Sequence, residues 1–380
     1  MIVKIGDVIS EYSVRNKFDE NIPVYSVTNE KGFCTGYFSK EVASKDKSTY
    51  KIVPRGYFAY NPSRINVGSV DWQKYEDRVI VSPLYVVFGV SDRLDRQYLL
   101  HYLKSDMMLS FIKEYATGSV RDNLKLADLG EFPINLRPVE EQRQIAATLD
   151  KIDDLIAKRR QQLDKLDELV KSRFIEMFGE PENNNKAWPV KSLDKLCTVG
   201  SSKRVYQSEQ SSEGVPFWRI SDLVSKIDTG TVDSALFISE IKYTELKRAG
   251  LVPVTGDILV TSRGTLGRCY IIQDEDCFYF QDGMISWLSN YSEEITPLYL
   301  QYLFTMSGFR KQIDNTQAGS TVAYLSIAML KKLQVMVPDK ALQEQFAAFV
   351  AQTDKSKLAI QKSLEKLEIL KKALMQKYFG

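Results

Sequence analysis

The sequence predicts an α+β protein built as a tandem duplication, in which two mixed domains alternate with two long helices. Three observations predict this class. An apolar seam with helical spacing follows residues 138–179, a similar seam follows residues 338–380, and short motifs recur in the same order before each seam. We therefore expect a first domain at 1–137, a long helix at 138–179, a second domain at 180–337 and a second long helix at 338–380.

The first long helix is predicted from the spacing of its apolar residues, three or four positions apart except where Arg159 occupies one position of the seam. The seam residues are Ile145, Leu149, Ile152, Ile156, Leu163, Leu166, Val170, Phe174 and Met177. Such spacing is typical of a coiled coil, and Pro138 and Gly179 fit a helix start and stop. The helix would be roughly 55 to 60 Å long. The simpler alternative is a long helix that packs only on its own domain.

The second long helix is its predicted partner. Residues 163–167 match residues 364–368, and Phe178 matches Phe379, all at a separation of 201 residues. Gln142 matches Gln345 at a separation of 203, which predicts that the helices differ by a two-residue insertion. The second seam continues at Leu364, Leu367, Leu374 and Tyr378. Two similar seams in one chain predict an antiparallel pair of helices.

The duplication extends into the domains. The matched segments are 3–7 with 190–194, 22–29 with 215–222, 56–61 with 256–261, 102–103 with 302–303, and 118–119 with 319–320. Their separation rises from 187 to about 200 residues, as loop insertions in a diverged repeat would produce. Residues 180–187 are polar, contain a proline, and are predicted to be a linker.

Each domain is predicted to be α+β because short apolar and aromatic runs are punctuated by Gly, Asn, Ser and Asp. The predicted strands are 50–53, 79–81, 85–90, 258–260 and 269–272, with last strands at 132–136 and 333–337. Helices are predicted at 95–115 and 297–313.

Composition restricts the function. The chain has 380 residues and a formal net charge of only +2, so it is not a polycation that coats nucleic acid. The single histidine, His101, excludes most histidine-based catalysis and most zinc sites, and the four cysteines lack metal-ligand spacing. No apolar run has transmembrane length, and Met1 leads directly into a predicted strand. We therefore expect a cytoplasmic protein that binds no membrane.

An antiparallel helix pair that joins two similar domains predicts approximate two-fold symmetry. The second helix would return the chain towards the first domain, giving a near-circular organisation. Two similar domains that face the same way, about a helical turn of DNA or more apart, fit a duplex with two half-sites.

With this organisation, the chain resembles the specificity subunits of type I restriction-modification systems. The resemblance covers the whole chain and rests on the order of five motifs: residues 138–146 (PVEEQRQIA), the FG pairs at 178–179 and 379–380, residues 215–223 (VPFWRISDL) and residues 256–264 (GDILVTSRG). The first domain departs from the last motif, since residues 57–64 read YFAYNPSR and lack a glycine after Arg64.

The resemblance implies a function without catalysis. The domains would be target-recognition domains, each reading one half of a bipartite, asymmetric site in double-stranded DNA. The helices would form a spacer and dock two methyltransferase subunits, with restriction subunits joining in the full complex. S-adenosylmethionine, ATP and Mg²⁺ would bind to the partner subunits only, and this chain would hold no cofactor or metal.

The residues themselves show no catalytic motif. Residues 61–64 (NPSR) are the nearest match to an amino-methyltransferase loop, but they lack its second proline and its aromatic residue. No phosphate-binding loop is present. Two alternatives stay open: a coiled-coil scaffold with two protein-binding domains, and a self-contained DNA-modifying enzyme with an unrecognised catalytic site.

The predicted DNA contacts are polar and basic residues in loops, because base edges and phosphates are read by such side chains. In the first domain they are Asn61, Ser63, Arg64, Ser119, Arg121 and Asn123. In the second domain they are Ser202, Lys203, Arg204, Arg219, Thr261, Ser262, Arg263, Gly264, Thr265, Ser320 and Thr321. Arg263 leads this set, and Trp218, beside Arg219, fits either a stacking contact or a framework strand.

Overall fold

The computed structural model describes residues 1–36, 46–117, 123–316 and 323–380, and the chain divides into two compact units. Unit 1 comprises Met1–Gln161 and Gln361–Gly380, and unit 2 comprises Gln162–Ile360. The division differs from the predicted domain limits, because each long helix contributes to the hydrophobic cores of both units.

Unit 1 contains ten short strands within its described residues. They are β1 (Ile2–Lys4), β2 (Ile9–Glu11), β3 (Ser26–Thr28), β4 (Gly32–Cys34), β5 (Lys51–Pro54), β6 (Phe58–Tyr60), β7 (Val70–Trp72), β8 (Arg78–Val81), β9 (Val86–Val90) and β10 (Pro133–Asn135).

The main sheet of unit 1 has the antiparallel order β2-β9-β6-β7, while β1 pairs with β10, β3 with β4 and β5 with β8. Successive side chains of a strand point to opposite faces of the sheet, which explains how both faces of this sheet are covered. Phe58 and Tyr60 of β6 point into one hydrophobic cluster, and Ala59 between them points into another. The main sheet is therefore a buried framework from which loops emerge at the strand ends.

The helices of unit 1 before the long helix are α1 (Arg96–Leu103), α2 (Asp106–Thr117) and α3 (Leu126–Gly130). The single helix predicted over 95–115 is thus two helices. The break lies at Ser105, whose hydroxyl donates to the Tyr102 carbonyl (2.7 Å) and accepts from the Met108 N–H (3.2 Å). Its side chain ends one helix and caps the next.

Unit 2 repeats this arrangement with longer connections. Its strands are β11 (Val190–Ser192), β12 (Thr198–Gly200), β13 (Gln210–Ser211), β14 (Val215–Trp218), β15 (Phe237–Ile238), β16 (Ile258–Thr261), β17 (Cys269–Ile271), β18 (Tyr279–Phe280), β19 (Ile285–Ser289) and β20 (Gln334–Met336). Its helices before the second long helix are α5 (Ile220–Thr229), α6 (Glu240–Arg248), α7 (Pro297–Leu303), α8 (Ser307–Asn315) and α9 (Ile327–Lys332).

The sheets of unit 2 correspond to those of unit 1. The antiparallel order β12-β19-β16-β17 matches β2-β9-β6-β7, and β11 pairs with β20 as β1 does with β10. A second sheet has the order β13-β15-β14-β18 and includes one parallel pair, β14 with β18. The helix predicted over 297–313 is again two helices, α7 and α8, with the Thr305 hydroxyl donating to the Tyr302 carbonyl (2.7 Å) at the break.

The long helices α4 (Val139–Phe178) and α10 (Lys340–Phe379) both contain 40 residues, so the predicted two-residue insertion is wrong. Their ends are 201 residues apart, which makes Gln343, rather than Gln345, the equivalent of Gln142. Gln142 and Gln343 are both buried, whereas Gln345 is exposed.

The two helices run antiparallel within each unit, which confirms the α+β class with paired long helices. In unit 1, Lys371 pairs with Asp153 (2.5 Å) and Arg160 with Glu368 (2.8 Å). In unit 2, Lys357 pairs with Asp167 (2.5 Å), and the ring of Phe346 packs on that of Phe174. The predicted seam is buried at its ends, at Leu149 and Phe174 for example, but Leu163 and Leu166 are only half-buried. Within the described residues, no helix combines the length and apolar composition that a membrane span requires.

Candidate nucleic-acid interface

One end of the main sheet of unit 2 gathers most of the contact residues that were predicted for the second domain. Strands β12 and β16 end there, and β19 begins there, since Gly200 pairs with Trp287 and Thr261 with Ile285. The segments that leave the sheet at this point are 201–209, 262–268 and 280–284. We call these three segments the unit 2 sheet end.

The segment 262–268 is a closed turn. The Thr261 hydroxyl donates to the Thr265 carbonyl and accepts from the Arg268 N–H (3.0 Å), and the Gly267 N–H donates to the Thr261 carbonyl (2.8 Å). Arg263, Gly264 and Thr265 lie exposed at the tip. The backbone of Gly264 has φ +67°, a left-handed conformation that glycine adopts without strain.

Arg263 is held at this tip without losing its exposure. Its backbone forms a bridge with Tyr324, and its guanidinium carbon lies 5.7 Å from the centre of the Tyr324 ring. A cation over a ring face is attracted by the negative charge of the π system. The contact orients Arg263 while leaving guanidinium N–H groups to donate outward.

Two predicted contacts, Thr261 and Ser262, are corrected by the structure because both are buried, at 0 and 2% exposure. The Ser262 hydroxyl bonds to that of Ser286 (2.7 Å), and its carbonyl accepts from the Leu325 N–H (3.0 Å). These hydroxyls hold the base of the turn together, so we remove both residues from the candidate interface.

The segment 201–209 begins with side chains that fasten it to the sheet. The Ser202 hydroxyl donates to the Phe280 carbonyl (2.7 Å), so Ser202 is a half-buried anchor. The Arg204 guanidinium pairs with Asp282 (2.8 Å) and keeps 64% of its side-chain exposure. Because the guanidinium side of this pair is largely exposed, the pair contributes about 1 kcal/mol or less, and Arg204 keeps donors available for an anionic ligand.

Lys203 is the other exposed cation of this segment. Its backbone N–H donates to the Tyr279 hydroxyl (2.8 Å), and that hydroxyl donates to the Lys203 carbonyl (3.1 Å). Burial raises the pKa of Tyr279, which keeps the phenol protonated for this role. Within the described part of the chain, the Lys203 ammonium forms no ion pair.

Arg219 joins the same region through the second sheet. It follows β14, and the carbonyl of Trp218 accepts from the Gln281 N–H (2.9 Å). Trp218 itself is buried and stacks on Phe278 with ring centres 3.5 Å apart, so it is a framework residue. Arg219 is exposed and lies 3.8 Å from the Asp222 carboxylate.

The segment 280–284 therefore contacts both other segments of the unit 2 sheet end. The sequence prediction did not include this segment. It contacts Ser202 through Phe280, Arg204 through Asp282, and Ser262 through the Met284 carbonyl (2.9 Å). Asp282 followed by Gly283 is a turn signal, which was available in the sequence.

Unit 1 has an equivalent region. Strands β2 and β6 end, and β9 begins, at one end of its main sheet, since Glu11 pairs with Phe88 and Tyr60 with Val86. We call the segments 12–25, 61–69 and 82–85, which leave the sheet there, the unit 1 sheet end.

The turn 61–69 carries three predicted contacts. The Asn61 carboxamide oxygen accepts from the Ser63 N–H (3.2 Å) and hydroxyl (2.9 Å), so this oxygen is occupied within the turn. Arg64 is exposed, and its N–H donates to the Asn61 carbonyl (2.9 Å). Arg64 is therefore the best placed cation of this turn.

Asn123 lies beside the same turn. The neighbouring Leu124 N–H donates to the Pro62 carbonyl (3.2 Å), and the Tyr60 hydroxyl donates to the Leu124 carbonyl (3.1 Å). Burial raises the pKa of Tyr60, so its phenol remains a donor. The predicted contacts Ser119, Arg121, Ser320 and Thr321 lie outside the described residues.

The arrangement offers hydrogen-bond donors and cations. Across the described ranges, no group of three or more His, Cys, Asp or Glu side chains could hold a metal ion. The unit 2 sheet end carries the cations Lys203, Arg204 and Arg263, and Arg219 lies beside it; the carboxylates of Asp282 and Glu209 belong to the same segments, and that of Asp222 lies next to Arg219. Such a surface suits an anionic ligand with hydrogen-bonding edges.

Comparison with known proteins gives a consistent family. The model of the type I restriction modification DNA specificity domain matches residues 2–168 and 185–371. A putative type I restriction enzyme specificity subunit of Haemophilus influenzae, S.HindORF215P, is 25% identical over 305 residues, covering 77% of this chain and 74% of that protein. The MjaIX specificity subunit of Methanocaldococcus jannaschii is 24% identical over 311 residues, covering 75% and 68%.

Solved structures share the fold. The S subunit of a type I restriction-modification system from M. genitalium superposes with a TM-score of 0.57 at 17% identity, covering 100% of this chain and 96% of that one. A chain from a structure that concerns complex assembly and conformational transition of the type I R-M system has the same TM-score and identity, with 100 and 97% coverage.

Proposed function

Because this chain belongs to the family of type I restriction-modification DNA specificity subunits, we propose that each unit reads one half of a bipartite, asymmetric site in double-stranded DNA. The duplication supports this proposal, since two related folds with diverged turns fit two different half-sites. The specificity for each half-site would come from the sheet end of its own unit.

The observation that carries the proposal is the clustering of exposed polar and basic residues at each sheet end. Arginine reads guanine through two hydrogen bonds in the major groove, and lysine and arginine bind phosphates. Arg263 on its closed turn is the leading base-reading residue of unit 2. Arg64, on the turn closed by Asn61, takes that role in unit 1, with Asn123 beside it.

Footprinting tests the recognition of a split site. The chain would be assembled with its methyltransferase subunits on a duplex carrying the motif that is methylated in the source genome. We expect two protected segments separated by an unprotected gap. Absence of any protected site would instead favour a scaffold that binds proteins through its two domains.

Substitution of Arg263 tests the assignment within unit 2. We expect Arg263→Ala to weaken binding by about 10- to 100-fold through one half-site only, because a two-bond arginine–guanine contact contributes about 1–3 kcal/mol. Arg248→Ala is the matched control, since Arg248 is an exposed arginine at the end of α6. Base substitutions in the half-site read by unit 1 should weaken DNA binding by Arg263→Ala and by Arg248→Ala equally. If Arg263→Ala lost the ability to distinguish bases in both half-sites, the assignment would be contradicted.

The long helices would set the gap between the half-sites. Each spans about 60 Å at 1.5 Å per residue. Inserting seven residues at matched points of α4 and α10 preserves the seam spacing and adds about 10 Å to each helix. We expect the preferred gap to lengthen while both half-site sequences stay unchanged, as measured by selection from a library of spacer lengths. A gap of unchanged length would contradict this role.

The helices would also dock two methyltransferase subunits, with restriction subunits joining them. Exposed apolar side chains support this role: Ile369 and Leu370 in the unit 1 part of α10, and Leu169 in the unit 2 part of α4. S-adenosylmethionine, ATP and Mg²⁺ would bind to those partners, which leaves this chain without catalysis of its own.

Incubation with DNA and labelled S-adenosylmethionine tests the absence of catalysis. We expect no methyl transfer by the chain alone and adenine methylation once the methyltransferase subunits are added. Methyl transfer by the purified chain would overturn this assignment and favour a self-contained enzyme.

A further inference from the structure

Each unit exposes one large aromatic side chain on the segment that follows the same strand of its main sheet. Phe18 is 88% exposed and lies seven residues after β2 ends at Glu11. Tyr206 is 63% exposed and lies six residues after β12 ends at Gly200. A single exposed ring is ordinary on a protein surface. What distinguishes these two is how firmly their loops are built and where the loops leave the sheet.

The loop that carries Phe18 is closed by Asn16, a polar residue that is only 1% exposed. Its carboxamide nitrogen donates to the Glu20 carbonyl (2.9 Å), and its oxygen accepts from the Glu20 N–H (3.0 Å). The Arg78 guanidinium pairs with the Glu20 carboxylate (2.5 Å), and the Asp19 carboxylate accepts from the Lys47 N–H (3.0 Å). Phe18 therefore sits at the tip of a preorganised loop.

The loop that carries Tyr206 is fastened by different residues. Val205 is buried in a hydrophobic cluster immediately before it. The Tyr206 N–H donates to the Glu209 carboxylate (2.9 Å), its carbonyl accepts from the Glu209 N–H (2.9 Å), and Lys242 donates to the same carboxylate (2.6 Å). Two unrelated sets of contacts thus hold an aromatic ring outward at corresponding places of the repeat.

The carboxylates beside the rings, those of Asp19, Glu20 and Glu209, accept the bonds that close the two loops, whereas the lysines beside the rings stay available to a partner. Lys17 precedes Phe18 directly, and Lys203 precedes Tyr206 by three residues. Both lysines are exposed, and in the described parts of the chain neither ammonium forms an ion pair. A ring next to available cations suits a ligand that offers π faces and a phosphate backbone together.

We propose that Phe18 and Tyr206 each contact the face of a nucleobase at a base step that is partly unstacked in the half-site of their own unit. This inference rests on the proposed function. In an undistorted duplex the base faces are covered by their neighbours, so the ring must wedge against a step that opens, as apolar side chains do in other DNA complexes. The contact tolerates any base, because every base has a π face. It adds affinity and local distortion while the polar turns supply the sequence preference.

The test uses the complex with methyltransferase subunits on a duplex that carries the genomically methylated motif. Permanganate reactivity of thymines reports unstacking. In the wild-type complex we expect permanganate to react more strongly with thymines at the opened base step of each half-site. We expect Phe18→Ala to bind the duplex about tenfold more weakly, because stacking on one base contributes about 1–3 kcal/mol. The same variant should lose the enhanced thymine reactivity in the half-site of unit 1 only. Phe18→Tyr should restore both properties. Tyr206→Ala should weaken binding and remove the enhanced thymine reactivity in the half-site of unit 2 alone.

Tyr75→Ala is the matched control in unit 1. Tyr75 is 59% exposed but lies after β7, whose last residue, Trp72, is at the opposite end of the sheet from Val70 and Tyr60. We expect it to leave binding and reactivity unchanged. Because Phe18 and Tyr206 are exposed, the thermal unfolding midpoints of all variants should equal that of the wild type.

The outcomes separate this inference from the proposed function. If the wild-type complex protects a split site and Phe18→Ala behaves like Tyr75→Ala, the aromatic contact is refuted while half-site recognition stands. If Phe18→Ala weakens assembly with the methyltransferase subunits and leaves DNA contacts intact, the ring binds a protein and the inference is overturned. If the wild-type complex protects no site, the proposed function fails first.

Discussion

The two units fasten the start of a short helix to a long helix in the same way. In unit 1, the Gln142 side chain accepts from the Asp95 N–H (2.8 Å) and donates to the carbonyls of Arg93 (2.9 Å) and Arg137 (2.7 Å). Asp95 is the residue that caps α1. One glutamine therefore joins the start of α1 to the segment that leads into α4.

Unit 2 repeats this bond set at the equivalent residue. The Gln343 side chain accepts from the Thr296 N–H (2.8 Å) and donates to the carbonyls of Glu294 (2.8 Å) and Pro338 (2.8 Å). Thr296 caps α7, the counterpart of α1. The two glutamines thus make the same three connections in two units whose surrounding residues differ.

The units differ in the side-chain contacts that the short helix makes with the rest of the long helix. In unit 1, the Asp150 carboxylate of α4 accepts from Gln97 (2.6 Å) and bonds to the ring of His101 (2.8 Å), both on α1. In unit 2, the equivalent position of α10 is Ala351. In unit 2, α7 instead packs Tyr302, the equivalent of His101, edge-on against Phe346, the equivalent of Ile145, with ring centres 5.2 Å apart.

This comparison separates what the framework needs from what it tolerates. The buried glutamine side chain satisfies backbone N–H and carbonyl groups that are largely part-buried and that any sequence in this fold carries. The contact further along involves side chains alone, so a polar set and an aromatic set can each fill it. Divergence between the repeats is therefore expected at the second contact and not at the first.

The largest effect that tests this comparison is expected from the two glutamines. Gln142→Ala or Gln343→Ala removes the side-chain partner of three mostly part-buried backbone groups, which should cost about 2–3 kcal/mol of the free energy of unfolding. Urea unfolding measures the loss. Hydrogen exchange locates it: the Asp95 amide should lose protection in the first variant and the Thr296 amide in the second.

Gln345→Ala provides the sharpest control, because the motif comparison aligned Gln345 with Gln142. Gln345 is exposed on α10, as Gln144 is on α4, so both alanine variants should change stability by less than about 0.5 kcal/mol. If Gln345→Ala destabilised the protein and Gln343→Ala did not, Gln345 would be the equivalent of Gln142. The two long helices would then differ by the two-residue insertion that the motifs predicted.

That misalignment shows what short motifs can and cannot predict. The seam spacing predicted both long helices, and the flanking prolines and glycines placed their limits within two residues of the observed ends. The register failed because the Glu-Gln pair looks alike whether it is buried or exposed. What selects Gln343 is its distance to the Thr296 N–H, a contact across 47 residues of chain. A match between two short motifs does not depend on such a distant contact and therefore cannot reveal it.

The candidate site shows the same limit at shorter range. The sequence predicted Arg263, Gly264 and Thr265 as an exposed tip, which they are, but it grouped them with the buried Thr261 and Ser262. Hydroxyl residues at a strand end suit both a DNA contact and an internal bond, and only the position of Ser286 opposite Ser262 decides between them. The role of segment 280–284 was missed for the same reason, since Asp282 meets Arg204 across 78 residues.

A smaller and pH-dependent effect is expected at the polar contact of unit 1. Burial raises the pKa of Asp150, but the hydrogen bonds from His101 and Gln97 outweigh it and hold this pKa below its ordinary value. The unfolded carboxyl titrates near pH 3.9, so the stabilisation is present above about pH 4 and is lost as the pH falls through the lower folded value.

Asp150→Asn removes this charge. Because the Asp150 side chain is 47% exposed, we expect the variant to lose less than about 1 kcal/mol at pH 7, and its difference from the wild type should shrink below about pH 4. Urea unfolding at pH 7 and pH 3 measures both differences. Ala351→Asn, at the equivalent position of unit 2, adds no ionisable group and should show a difference that is independent of pH. A wild-type advantage over Asp150→Asn that stayed constant between pH 7 and pH 3 would mean that the geometry of the carboxylate, and not its charge, fastens α1 to α4.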